Sequence, residues 1–68
     1  MDTIGARIKH IRKSYGLNQV SFVQSLGISQ GTLSELEKNK FNPSVETIIQ
    51  LYEKFGVDLN WLLLGEKR

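Results

Sequence analysis

Asn18–Lys38, NQVSFVQSLGISQGTLSELEK, decides how the rest of the chain is arranged. It reads as two short helices with almost no chain between them. A short polar side chain just before a helix accepts from a backbone N–H that has no intrahelical partner, so Asn18 is placed to cap the first helix and Ser29 the second. Only Leu26, Gly27 and Ile28 lie between. Gly27 suits the left-handed conformation that ends a helix, and so tight a link sends the next helix off at a steep angle of roughly 90–120°.

The same punctuation recurs along the chain. Gly16-Leu17-Asn18, Gly27-Ile28-Ser29 and Gly56-Val57-Asp58 each set a helix-stopping glycine, an apolar residue and a capping side chain in a row. The apolar residue precedes the cap, so Leu17 is expected to meet Phe22, Ile28 to meet Leu33 and Val57 to meet Leu62 as hydrophobic staples. Thr3 or Asp2 opens the first helix and Ser44 opens another after Pro43. The spacing therefore predicts an all-α fold of five helices, around residues 3–15, 19–26, 30–38, 45–55 and 59–64, in one domain spanning 1–68.

Periodicity assigns faces to these helices. At about 100° per residue, Ile4, Ile8, Ile11 and Tyr15 form one stripe of the first helix, and Val45, Ile48, Ile49, Tyr52 and Phe55 a wider one on the fourth. The fourth helix is expected to be the backbone of the core. Val20, Phe22, Val23 and Leu26 supply the second, and Leu59, Leu62 and Leu63 close the far end. Trp61, so near those leucines, reads as core or boundary. On the third helix Leu33 and Leu36 point inward, which turns Gly31, Ser34, Glu35 and Lys38 outward with Gln30 and Glu37 at the borders. That outer face is short, polar and nearly flat. On any surface helix it can be merely solvated; within this corner it fits the major groove, where amides and hydroxyls near a helix N-terminus can reach base edges.

The arrangement is a helix-turn-helix. Gln19, the gap to Gly27, then Ile28, Ser29, Gln30, Leu33 and Leu36 resemble the DNA-binding domain of lambda-type phage repressors and the related bacterial xenobiotic-response-element regulators. The resemblance continues through IGARIKHIR before the motif and EKNKFNPSVETI and GVDLNWLL after it. It implies a compact five-helix, lambda-repressor-like domain, either a complete small regulator or the N-terminal part of a longer repressor. It also implies roles for single residues. Gln30 matches the glutamine that reads adenine bidentately. Gln19 and Asn18, at the start of the second helix, match positions that meet phosphate, and Gln19 also braces Gln30. Ser29 and Ser34 fall at further base-contact positions. Lys38, Lys40 and Asn42 match the phosphate-clamping loop before the fourth helix, with Asn39 where many relatives have glycine. Arg12 and Glu37 match a partly buried ion pair.

Three further residues depart from the family pattern. Gly31 stands where relatives often carry a base-reading side chain, so it offers only close backbone approach. Glu35 stands where an amide or basic residue is usual; a carboxylate there repels phosphate but can accept from cytosine N4. Val23 is larger than the usual residue at the helix crossing, which is expected to widen slightly.

Charge and composition narrow the function classes. The net charge of +2 is concentrated at the start, where Arg7, Lys9, Arg12 and Lys13 face only Asp2. Such an end can be a phosphate footprint or simply aid solubility. With no cysteine and a lone histidine, His10, which is expected to be solvated, neither a metal site nor a nucleophilic triad has its parts, so no enzyme activity and no cofactor is expected. No stretch is apolar for the roughly 20 residues of a membrane span. Expected partners are double-stranded DNA bearing an inverted-repeat operator and a second copy of the chain, the dimer contact falling at Trp61–Leu64. Neither a membrane nor a small-molecule ligand is expected, and the expected location is the bacterial cytoplasm, at the nucleoid. The other functional class is a protein-binding module of the same fold, of antitoxin or coactivator type.

Overall fold

The computed structural model describes residues 3–66. Five helices follow one another: α1 (Ile4–Ser14), α2 (Gln19–Leu26), α3 (Gln30–Glu37), α4 (Val45–Phe55) and α5 (Leu59–Leu64). Each starts where a side-chain cap satisfies an orphan N–H. The caps are Thr3, Asn18, Ser29, Ser44 and Asp58, whose oxygens accept from Ala6, Ser21, Thr32, Thr47 and the Asn60–Trp61 pair respectively. Asp2, the other candidate for opening α1, lies outside the described residues.

The ends of α1 and α3 share one device. After α1, Leu17 N donates to Arg12 O and Gly16 N to Lys13 O; after α3, Lys40 N donates to Glu35 O and Asn39 N to Leu36 O. These paired bonds are Schellman closures, which need a left-handed residue at the second position past the helix. Gly16 fills it after α1, and Asn39, at φ +61°, fills it after α3. Asparagine takes this conformation more readily than other side-chain-bearing residues.

α1 packs on α3 and α5, and α2 packs on α3 and α4, in a body 30 × 23 × 22 Å. Ile8, Ile11, Phe22, Leu26, Leu33, Leu51, Val57 and Leu62 form the core, with Leu17, Val23 and Ile28 packed against it. The staple residues therefore all join one cluster.

Three expectations about burial fail. On α4, Val45, Ile49 and Tyr52 face solvent, at 67%, 45% and 56% exposure, while Leu51 and Thr47 are buried. The helix is rotated by roughly a quarter turn from the expected face, because Leu51 and Phe55 must meet α2: the Phe22 and Phe55 rings lie 5.0 Å apart. Val20 on α2 and Leu59 and Leu63 on α5 are also exposed, leaving Leu62 as the buried residue of α5. Third, Tyr15 continues the α1 stripe only in part. Its ring is exposed, yet it sits edge-on to Phe55 and its hydroxyl donates to the Phe55 carbonyl at 2.9 Å.

Arg7 departs from its expected place in a basic surface. It is only 7% exposed, and its Nε donates to the Leu62 carbonyl at 2.8 Å, tying α1 to α5. A guanidinium can take this place because its planar donors satisfy a helix C-terminal carbonyl while its stem packs on apolar neighbours. The exposed cations of α1 are Lys9 and Lys13.

Candidate nucleic-acid interface

The corner between α2 and α3 consists of Gly27, Ile28 and Ser29. Gly27 sits at φ +69° and its N–H donates to Val23 O, closing α2; Ser29 Oγ then accepts from Thr32 N at 3.1 Å, opening α3. Ile28 is held against the core between them. Leu33 and Leu36 anchor the inner side of α3 at no more than 1% exposure. Gln30, Gly31, Glu35 and Lys38 consequently lie exposed on its outer side, with Ser34 half-buried.

A chain of polar contacts runs from the interior to this face. Arg12 and Glu37 form a two-point pair, Nε to Oε2 at 2.7 Å and Nη2 to Oε1 at 3.1 Å, with side chains 11% and 5% exposed. Arg12 Nη1 also donates to the Leu17 carbonyl at 2.9 Å, fixing the end of α1. Two parallel N–H···O bonds between planar groups constrain orientation as well as distance. Gln19 Nε2 donates to the same Glu37 Oε1 at 3.1 Å, and Gln19 Oε1 accepts a longer bond from Gln30 Nε2 at 3.4 Å. The carboxylate accepts only, so it fixes which end of the Gln19 amide faces inward. Gln30, exposed at the start of α3, is thereby linked through Gln19 to a buried ion pair. Gln19 Nε2 carries a second N–H besides the one given to Glu37, so its side chain can donate to a phosphate while keeping both of these bonds.

Backbone donors flank these side chains. The caps take the third N–H of each helix, which leaves those of Gln19–Val20 and Gln30–Gly31 with no intrahelical acceptor. Asn18 reaches Ser21 N at 2.8 Å while staying exposed. Past α3, Lys38, Lys40 and Asn42 are exposed on one loop. A contact that sequence reasoning missed holds that loop: Gly5 N, on α1, donates to Asn39 Oδ1 at 3.2 Å. A Cβ on Gly5 would overlap the Leu36 carbonyl oxygen and come within 3.0 Å of Asn39 N, so α1 crosses the end of α3 at backbone contact. The only hint in the sequence is a glycine one residue inside a helix, where it is otherwise unfavourable.

Of the residues expected at a dimer contact, Leu64 is 66% exposed, whereas Trp61 is half-buried on the core and edge-on to His10 at 5.9 Å. Among the described residues no group of three or more His, Cys, Asp or Glu side chains could hold a metal, and no helix is long and apolar enough to cross a membrane.

A corner of this geometry, with a polar outer helix braced from within, defines a class of protein. Residues 5–68 match the helix-turn-helix domain family, and the chain belongs to it; its relatives include phage repressors and transcription regulators. It is 32% identical over 65 residues to the immunity repressor protein of Bacillus phage phi105, covering 96% of this chain and 44% of that protein. It is 35% identical over 63 residues to the ImmF control region 10 kDa protein of the same phage, covering 93% and 70%. Antitoxin PezA of Streptococcus pneumoniae is 39% identical over 54 residues, covering 79% and 34%. The chain thus spans under half the length of the first and third of these relatives. No solved structure gives a significant match.

Proposed function

We propose that this chain regulates transcription by reading a specific sequence in double-stranded DNA, with α3 in the major groove and two copies on an inverted repeat. One observation carries the reading: Gln30, on the exposed face of α3, is braced through Gln19 to the buried Arg12–Glu37 pair. A preorganised amide loses less freedom on forming a bidentate contact with adenine N6 and N7. Ser29, Gly31, Ser34 and Glu35 are the other base-facing positions, Glu35 as an acceptor for cytosine N4. Lys38, Lys40 and Asn42, with Asn18 and the N-termini of α2 and α3, meet phosphates. One short helix makes few base contacts, so a dimer on half-sites about 34 Å apart supplies the affinity. Leu64, with Trp61 behind it, is the proposed dimer contact, and the bacterial cytoplasm the place of action.

The exposed Val45, Ile49 and Tyr52 on α4 and the antitoxin relative support a second reading, a module that docks a protein partner. Selection from random duplexes at low salt, followed by sequencing and a salt titration, separates the two. The DNA reading expects an inverted repeat, Gln30→Ala relaxing the choice at one base pair of each half-site, and Lys40→Gln weakening all sequences alike. The log–log salt slope should flatten by about 0.9 for each phosphate that a substitution leaves without its cation. Folded protein that retains no duplex refutes it in favour of the partner-binding module.

A further inference from the structure

Away from α3, a cleft of about 260 Å³ opens where the C-terminal ends of α1 and α4 meet the start of α5. The rings of His10, Tyr15, Phe55 and Trp61 line it with Asp58, and no lysine or arginine does. His10 and Trp61 form one edge-to-face pair at 5.9 Å, and Tyr15 and Phe55 another at 5.0 Å. In such a pair the ring presenting its edge keeps both π faces for other contacts and its partner keeps one.

Asp58 is the acidic side chain of the lining, and it sits on the start of α5, the positive end of that helix's dipole. Two helix C-termini end at its wall, and each carries the negative end of its helix dipole. Asp58 caps α5 through Oδ1 alone, which accepts from Asn60 N at 2.9 Å and Trp61 N at 3.3 Å, so Oδ2 is left for another partner. Tyr15 spends its hydroxyl proton on the Phe55 carbonyl, so toward the cleft its oxygen can only accept.

Aromatic faces with a single carboxylate suit a cation whose charge is spread over alkyl groups. The ring quadrupoles attract it without hydrogen bonds, and its methyl groups replace water on the apolar walls. A metal ion, by contrast, needs several oxygen or nitrogen ligands at short range. The volume falls below the roughly 300–1,000 Å³ of sites for drug-sized ligands, which limits the occupant to a headgroup. We propose that this cleft binds a small alkylated ammonium ion, Trp61 and Tyr15 supplying π faces and Asp58 the countercharge. The site is separate from α3 and does not depend on the DNA reading.

Choline and its uncharged isostere 3,3-dimethylbutan-1-ol are the probes, titrated into the whole chain at constant ionic strength. The readout is the indole N–H resonance of the single tryptophan, Trp61. The buffer and pH are the same in every titration. The expected result is a saturable shift with choline in the millimolar range and binding of the alcohol weaker by roughly tenfold. Asparagine caps as well as aspartate, so Asp58→Asn should leave the far-ultraviolet dichroism unchanged and weaken choline by about fivefold without affecting the alcohol. Equal affinity for the two probes would make the cleft a plain apolar groove and overturn the proposal. So would an unsaturated shift at about 100 mM choline, or choline binding that Asp58→Asn leaves unchanged.

Discussion

Replacing glycine by alanine inside a helix normally stabilises it by about 1 kcal/mol, because the unfolded chain loses conformational freedom. Gly5 and Gly31 both lie inside helices, and the structure gives them opposite responses. At Gly31 the nearest atom to an added Cβ is Ser29 Oγ at 4.0 Å, so Gly31→Ala should stabilise by about 1 kcal/mol. At Gly5 the methyl group meets the Leu36 carbonyl oxygen and Asn39 N and Cα, all backbone, which cannot swing aside as a side chain would. Overpacking costs about 1–3 kcal/mol and loss of the Gly5–Asn39 bond about 0.5–1.5 more. After the propensity gain, Gly5→Ala should destabilise by about 2 kcal/mol. Against the roughly 3–10 kcal/mol expected for a chain of this size, that is a large fraction. Thermal melts followed by circular dichroism should show Gly5→Ala lower by about 8–16 °C and Gly31→Ala higher by about 4–8 °C. Two upward shifts of similar size would refute backbone contact between α1 and the end of α3.

Two further perturbations test the polar framework. Removing either Arg12 or Glu37 should cost about 3 kcal/mol, because a nearly buried charge then lacks its partner, and removing both should cost less than the two singles combined; urea melts of a double-mutant cycle showing additivity would refute the coupling. Asn39→Gly should change stability by less than about 1 kcal/mol, since relief of the left-handed backbone offsets the missing side-chain bond. Its mark should instead be faster hydrogen exchange at the Gly5 amide, and an unchanged rate would mean that Asn39 does not hold α1.

What could be read from the chain was mostly local. Caps and helix-ending glycines act within a few residues, so Asn18, Ser29, Asp58 and Gly27 marked their corners directly. Asn39 could be placed in a left-handed turn from its own chemistry. Its bond to Gly5 spans 34 positions and leaves no local trace. The face of α4 was misjudged for a related reason. Val45, Ile48, Ile49, Leu51, Tyr52 and Phe55 spread over an arc of roughly 160° of that helix, so periodicity groups them without telling which part of the arc meets the core. Arg7 was hidden by its type. An arginine in a helix reads as surface until the carbonyl it satisfies, 55 positions away, is brought beside it.

Under the proposed DNA reading, the link from Glu37 through Gln19 to Gln30 bears on how the sequence preference could be redesigned or could drift. Gly31 and Glu35 have exposed outer positions and no side-chain partner in that link, so each can be exchanged with little disturbance to its neighbours. Gln30 donates to the side-chain oxygen of Gln19, whose amide nitrogen is tied to a buried carboxylate. Substitution at 30 therefore propagates inward, and a new residue there calls for a matching change at 19. Specificity should evolve by single steps at 31 and 35 and by paired steps at 19 and 30.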